Sequence, residues 1–215
     1  MRIEQVIIGE ERPNRPGIDN PCRYITIHNT GNLKKGADAA AHAAYLQNTD
    51  ELVSWHYTVD DKEIYQHLPD DETAYHAGDG SGDGNRKSIA IEICVNEDGD
   101  LFKAVENAAR LAARLCRKHN ITPENIVQHN HWSGKNCPEQ LRMNKPYSWE
   151  VFLARVSEFL KELPSGWAME AADWCIEEKI IQGDGTGYNW QRPVSREELA
   201  VMLHRFRKSL FIAGK

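Results

Sequence analysis

The 215-residue chain has no C-x-x-C pair, and its five cysteines (Cys22, Cys94, Cys116, Cys137, Cys175) are odd in number and widely spaced. That argues against a disulfide framework and leaves most of them as small buried hydrophobes. Long apolar runs are missing as well. None approaches the roughly 18–20 residues that cross a bilayer. The opening MRIEQVIIGEERPNRPG holds nothing longer than Val6–Ile8, so neither a membrane span nor a secretory leader is expected, and the chain reads as one made in the cytoplasm. Net positive charge is absent too: 26 basic residues stand against 32 acidic ones, a balance of −6. A phosphate backbone needs a basic face, so nucleic acid is not an expected partner. An acidic surface gives no attraction to anionic lipid either. What is present is ordinary for a soluble globular protein, and the length suits one medium domain with a small addition.

Hydrophobic periodicity supplies the elements. YITIH (24–28), IAIEICV (89–95) and IVQHNH (126–131) read as strands. GADAAAHAAYLQN (36–48) reads as an Ala-rich helix and AVENAARLAARLCRKHN (104–120) as a stronger one. In the latter, Val105, Ala108, Ala109, Ala112, Leu115 and Cys116 form one stripe, and Asn120 is the stop. SWHYTVDDKEIYQHL (54–68) predicts a hairpin turning at Asp60-Asp61-Lys62. A helix over 148–162 takes Ser148 as N-cap and ends before Pro164. Strands interleaved with helices predict an α/β domain over residues 1–163, a central mixed β-sheet flanked by helices.

LPSG (163–166) is a linker-type break. Residues 164–215 then read as a small helical domain. One helical pattern (167–179) carries Trp167, Ala171, Trp174 and Cys175, and a second opens with SREE. Ser195 and Glu198 make a capping box there, with Leu199, Met202, Leu203 and Phe206 following at i, i+3, i+4 and i+7. About 50 residues hardly bury a core alone, so this tail needs the main domain, a copy of itself or a ligand. From residue 166 onward seven basic residues balance seven acidic ones, which puts the whole −6 on the first domain.

Strand parity then picks out candidates for chemistry. Tyr24, Thr26 and His28 oppose Ile25 and Ile27, while Ile89, Ile91, Ile93 and Val95 share one face and leave Glu92 on the other with Ala90 and Cys94. A glutamate inside such a strand is either a partly exposed edge residue or a general base in a cleft, its proton affinity raised by partial burial. In HNHWSGKNCP (129–138), His129 and Cys137 are donors that suit zinc. A catalytic zinc takes three protein ligands, and the residues leave the third open among His28, His42, His56, His67, His76, His119, His131 and His204. The parity of a strand would put His131 on the face of His129.

Five motifs, in order, carry a resemblance: HNT (28–30), SWHYTVDD (54–61), YHAG (75–78), IEIC (91–94) and the spacing H-x5-K-x-C-P of His129, Lys135, Cys137 and Pro138. Over residues 1–163 the chain resembles the zinc-dependent N-acetylmuramoyl-L-alanine amidases, the group of phage lysins related to peptidoglycan-recognition proteins. The resemblance implies His28, His129 and Cys137 as ligands of one catalytic Zn2+. It implies Lys135 as the catalytic lysine and Glu92 as acid/base. Where some members carry a hairpin tyrosine this chain has Trp55, with Tyr57 two residues on. Asn29, Thr30, Trp55, His76 and Trp132 are the implied substrate contacts. The implied reaction cuts the amide between N-acetylmuramic acid and L-alanine of the stem peptide in bacterial peptidoglycan.

The tail resembles a single S-layer-homology repeat through W-A-x-E-A, the I-I-x-G-D-G turn and [ST]-R-E-E-x-A-x-M-L. That implies wall carbohydrate as a partner; docking on the first domain and pairing with a second copy stand beside it. AGDGSGDGN (77–85) mimics the start of a calcium loop, but position twelve is Ala90 rather than the bidentate Glu, so a flexible loop by the cleft is expected instead. The organisation is that of a phage or prophage endolysin, waiting in the cytoplasm for release to the wall. A bacterial autolysin, a wall-recycling amidase and a non-catalytic peptidoglycan-binding module are the alternatives.

Overall fold

A computed structural model describes residues 3–185 and 187–212 of the chain. Its elements run β1 (Glu4–Gln5), β2 (Tyr24–Asn29), α1 (Ala39–Asn48), β3 (Tyr57–Val59), β4 (Ile64–Gln66), α2 (Asp83–Lys87), β5 (Ser88–Ile93), α3 (Leu101–His119), β6 (Ile126–Gln128), α4 (Asn130–Ser133), α5 (Glu139–Arg142), α6 (Trp149–Glu162), α7 (Met169–Glu177) and α8 (Arg196–Ile212). The six strands make one sheet in the order β1-β4-β3-β5-β2-β6. Among the described strands only the β3–β4 pair is antiparallel; every other strand pair runs parallel. The expected mixed sheet flanked by helices is therefore the fold. No helix among the described residues is long and apolar enough to cross a membrane.

Caps decide where the helices begin. Asp38 accepts from the Ala41 N–H, so α1 opens at Ala39 rather than at 36. Asp100 accepts from the Lys103 N–H and starts α3 at Leu101, three residues ahead of the expected start at 104. Asn120 ends α3 in the left-handed region at φ 55°, a conformation asparagine tolerates better than most residues. Ser148 caps α6 as its position predicts.

One sheet face is closed by α3 and α6. Ile25, Ile27, Ile89, Ile91 and Ile93 pack there against Val105, Ala108, Ala112, Phe152 and Val156. The small alanines of α3 let the helix lie close to the sheet, and Phe152 fills the space beneath α6. Removing that ring would cost about 3–5 kcal/mol. The other face carries Thr26, His28, Ser88, Ala90 and Glu92, and the parallel register sets His28 directly beside Glu92. A second core there joins Ile8, Leu46, Trp55, Leu68, Ala74 and Ala90. Because β5, β2 and β6 are mutually parallel, they all finish at one edge, which brings the residues at their C-terminal ends together.

A buried carboxylate ties the far end of α3 to the hairpin. Asp70, 3% exposed, accepts from the Tyr57 hydroxyl at 2.5 Å, Lys118 Nζ at 2.7 Å and His119 Nε2 at 2.8 Å. Burial alone would raise its carboxyl. The hydrogen bonds from His119, Lys118 and Tyr57 outweigh that and hold it well below the ordinary carboxylate range.

The tail meets the first domain through α3. Arg114 forks onto the Asp173 carboxylate of α7, and a Cβ on Gly166 would come within 2.8 Å of the Arg117 carbonyl. Ser195 and Glu198 make the expected capping box, each side chain accepting from the other's backbone N–H. Much of the apolar stripe of α8 stays exposed, with Leu203 59% exposed, while Phe206 meets the Trp174 ring edge-on at 6.0 Å.

Candidate metal centre

His28 is the last residue but one of β2, Glu92 the last but one of β5 on the neighbouring strand, and His129 comes directly after β6. The strand read over 126–131 stops at Gln128. At His129 the backbone turns helical (φ −51°, ψ −34°), and the loop closes on itself. The Asn130 N–H donates to the Cys137 carbonyl, and the Asn130 side chain donates to the carbonyls of Gly134 and Lys135. This closure returns Cys137 to the sheet edge beside His28. It also removes the parity argument for His131, which sits exposed on α4, edge-on to Trp132 at 4.6 Å.

His28, His129 and Cys137 are all buried and offer ligand atoms within 4.8 Å of one another. Sγ of Cys137 lies 3.9 Å from Nδ1 of His28, and Oε1 of Glu92 lies 3.8 Å from the same nitrogen. The outward nitrogens of both imidazoles are engaged elsewhere. Nε2 of His28 meets Nδ1 of His76 at 2.9 Å, and Nε2 of His129 meets the Ala77 carbonyl at 3.0 Å. The inward Nδ1 of His129 and Oε2 of Glu92 are buried and have no hydrogen-bond partner among the described residues. Orphaned polar atoms of this kind call for a ligand.

Burial holds His28 well below its ordinary pKa, with His76, His129 and Lys135 adding to the effect, and burial and Lys135 lower His129 as well. Both rings are thus neutral near pH 7, the form that binds a cation. Burial pushes the Glu92 carboxyl up to about 8 against the pull of the Lys135 ammonium. Burial and the nearby Glu92 push the Cys137 thiol up to about 11. Two neutral imidazole nitrogens and one sulfur, with a carboxyl alongside and no fourth protein donor in the group, fit a three-ligand zinc site with an open position. A structural zinc would want a fourth.

The remaining candidates divide. Lys135 is exposed on the same loop, near enough to lower the pKa of His28, His129 and Glu92. Oδ1 of Asn29 is 3.6 Å from the Cys137 sulfur. Nδ2 of Asn29 and Oγ1 of Thr30 are buried without partners among the described residues. Trp55 does not reach the centre. It is 7% exposed in the second core, and its indole donates to Thr58 Oγ1 at 2.7 Å. Ile8, Leu46 and Leu68 claim a ring that the sequence offers to substrate. His76 is half-buried beside His28, with Nδ1 at His28 Nε2 and Nε2 directed at Ser88. Trp132 is half-buried, and its indole N–H is taken by Thr26 Oγ1 at 2.9 Å.

The glycine-rich loop is built rather than slack. Asp79 accepts from the Gly84 and Asn85 N–H groups, and Oδ1 of Asn85 accepts from the N–H groups of both His76 and Ala77 at 2.8 Å. Gly84 is required by close approach. A Cβ there would lie 2.5 Å from the Ala77 Cβ and 2.7 Å from Trp132 Cγ. Asn85, Ser88 and Thr26 do not stand out in the sequence. Thr26 and Ser88 carry only the signal of a hydroxyl at a buried position of an otherwise apolar strand, and Asn85, on the polar helix α2, carries none.

The parallel strands thus deliver two histidines and a glutamate to one edge of the sheet, and a cysteine loop closes over them. The chain belongs to the N-acetylmuramoyl-L-alanine amidase family, whose profile matches residues 18–140, and an S-layer homology domain profile matches residues 161–200. Among relatives, N-acetylmuramoyl-L-alanine amidase XlyA of Bacillus subtilis (strain 168) is 55% identical over 156 residues, covering 73% of this chain and 51% of the relative. N-acetylmuramoyl-L-alanine amidase CwlH of the same organism is 49% identical over 158 residues, 73% of this chain and 62% of the relative. A solved structure of a mutant endolysin from Bacillus subtilis superposes with a TM-score of 0.69 at 53% identity, over 73% of this chain and 99% of that one. The chain thus spans about half to three-fifths of the length of these two relatives.

Proposed function

We propose that the chain is a zinc-dependent N-acetylmuramoyl-L-alanine amidase of the endolysin kind, which hydrolyses the amide between the lactyl group of N-acetylmuramic acid and L-alanine of the stem peptide. The observation that carries this reading is the buried trio of His28, His129 and Cys137 with the Glu92 carboxyl, its Oε2 unpartnered, at its side. A zinc ion held by His28, His129 and Cys137 as thiolate would polarise the scissile carbonyl and bring the pKa of a water toward neutrality.

The protein's own groups do the rest. Glu92, deprotonated once a cation shares its site, takes the proton of the attacking water at its free Oε2 and returns it to the departing amine of L-alanine. The Lys135 ammonium donates to the oxyanion as it forms, a contribution of about 3 kcal/mol for one well-placed donor. Asn29 and Thr30, each with an unsatisfied buried polar atom, hold the substrate beside this centre. The division of labour we propose assigns catalysis to residues 1–163 and retention on wall carbohydrate to residues 164–215.

Digestion of purified walls tests the reading. New L-alanine amino termini should appear without new reducing sugar ends, and a chelator should stop their release. Reducing ends would make the protein a glycosidase instead, and binding without any release would make it a recognition module.

A further inference from the structure

A metal-binding imidazole must present a lone pair, so the proton has to sit on the nitrogen pointing away. Which nitrogen carries it is set by what the outward nitrogen meets. For His129 the partner is the Ala77 carbonyl, which can only accept. Nε2 of His129 therefore carries the proton, and Nδ1 is left bare toward His28 and Cys137. For His28 the partner is another imidazole, His76, which could accept or donate.

The chain of contacts behind His76 resolves the choice. Ser88 Oγ lies 2.6 Å from the Gly84 carbonyl, an acceptor only, and so spends its single proton there. Ser88 must then accept from Thr26 Oγ1 at 2.8 Å and from His76 Nε2 at 3.3 Å. At the other end, Thr26 accepts from the indole N–H of Trp132, a donor only. Both ends of the network have one permitted role, and the direction runs through it without a break. His76 carries its proton on Nε2 and accepts at Nδ1. His28 must therefore donate from Nε2, which leaves its Nδ1 bare beside Cys137 and Glu92.

His76 and Ala77 are adjacent, and one side chain fixes both: Oδ1 of Asn85 accepts from the two backbone N–H groups. We propose that the His76–Ala77 dipeptide, clamped by Asn85, is a positioning strap that sets the tautomers of both histidines of the centre, one through the His76 side chain and the other through the Ala77 carbonyl. This rests on the reading of His28, His129 and Cys137 as zinc ligands. It assigns His76 a role behind the metal, touching neither substrate nor reacting atoms.

The test has two readouts. In the zinc-free protein, long-range proton–nitrogen correlation spectra of the histidine rings should show Nε2–H tautomers for both His28 and His129. Zinc competition with a chromophoric chelator should show His76→Ala weakened by about 10- to 100-fold. His76→Asn should recover most of that loss, because its Oδ1 takes the place of the imidazole Nδ1 as acceptor. An Nδ1–H tautomer on His28 in the zinc-free wild type would overturn the proposal, as would zinc affinity in His76→Ala equal to wild type. So would a His76→Asn variant that folds like wild type and yet binds zinc as poorly as His76→Ala. If the wild type binds no zinc, the metal reading falls, and the ring tautomers alone still decide for or against the strap. Should His76→Ala fail to fold, the wild-type tautomers and the His76→Asn affinity carry the decision.

Discussion

Helices α6 and α8 present apolar residues at the same helical spacing, yet they end in opposite circumstances. On α6, Phe152 and Val156 are fully buried against α3 and the sheet. On α8, Leu199, Leu203 and Phe206 remain exposed. Spacing therefore tells which face of a helix is apolar but not what covers it. The first domain supplies the cover from residues far away in sequence, and the tail, held at Arg114 and Gly166, has too little chain to do the same. The first region keeps its stability in a shared core, and the second keeps its own in local devices such as the Ser195 cap.

The contrast can be probed from its strongest side to its weakest. Glu92→Gln should fold and bind zinc normally but lose roughly 10²- to 10⁴-fold in wall hydrolysis, while deletion of 165–215 should weaken wall pelleting far more than hydrolysis of soluble fragments. Full activity in Glu92→Gln would move the base elsewhere, and unchanged pelleting would take the binding role from the tail. Phe152→Ala should cost about 3–5 kcal/mol in urea unfolding, whereas Leu203→Ala should stay within about 0.5 kcal/mol. Equal losses at the two sites would mean that α8 is covered in solution.

Asp70 gives the first domain a pH dependence rooted in burial. Its carboxyl titrates lower in the folded chain than in the unfolded one. The folded state therefore binds fewer protons between the two values, and the stabilisation is complete above the unfolded value near 3.9. It is lost as pH falls through the lower, folded value. Asp70→Asn should cost about 1.5–3 kcal/mol at pH 7 and should flatten the acid limb of the stability profile. An acid limb as steep as that of the wild type would assign it to other carboxylates. A smaller effect than at Asp70 is expected at Ser195→Ala, about 1 kcal/mol confined to α8. Hydrogen exchange should show faster opening there with α3 and α6 unchanged.

Much of this is legible in the chain itself. Alternation in β2 and β5 puts His28 and Glu92 on one face, and the parallel register then sets them side by side. Asp60-Asp61-Lys62 turns the hairpin, and Ser148 and Ser195 cap the helices they precede. What the pattern could not carry were contacts between distant segments and the direction of hydrogen bonds. Trp55 reads as a cleft aromatic and lies in a core, because Ile8 and Leu68, from other segments of the chain, surround it. His119 has no partner at any regular spacing, yet it meets Asp70 across 49 positions. Extending β6 to His131 failed because strand parity holds only while the backbone is extended, and Asn130 folds it back.

The shared edge at which β2, β5 and β6 finish has a bearing on how such a protein can change. The residues of the candidate centre sit near the ends of the strands or just beyond them, while the segments 30–38 and 94–100 leave from the same rim outside any helix or strand. Doubling the length of a segment of that kind costs only about 0.6 kcal/mol in closure entropy. A change of length along this rim therefore leaves the paired rungs of β2, β5 and β6 in register.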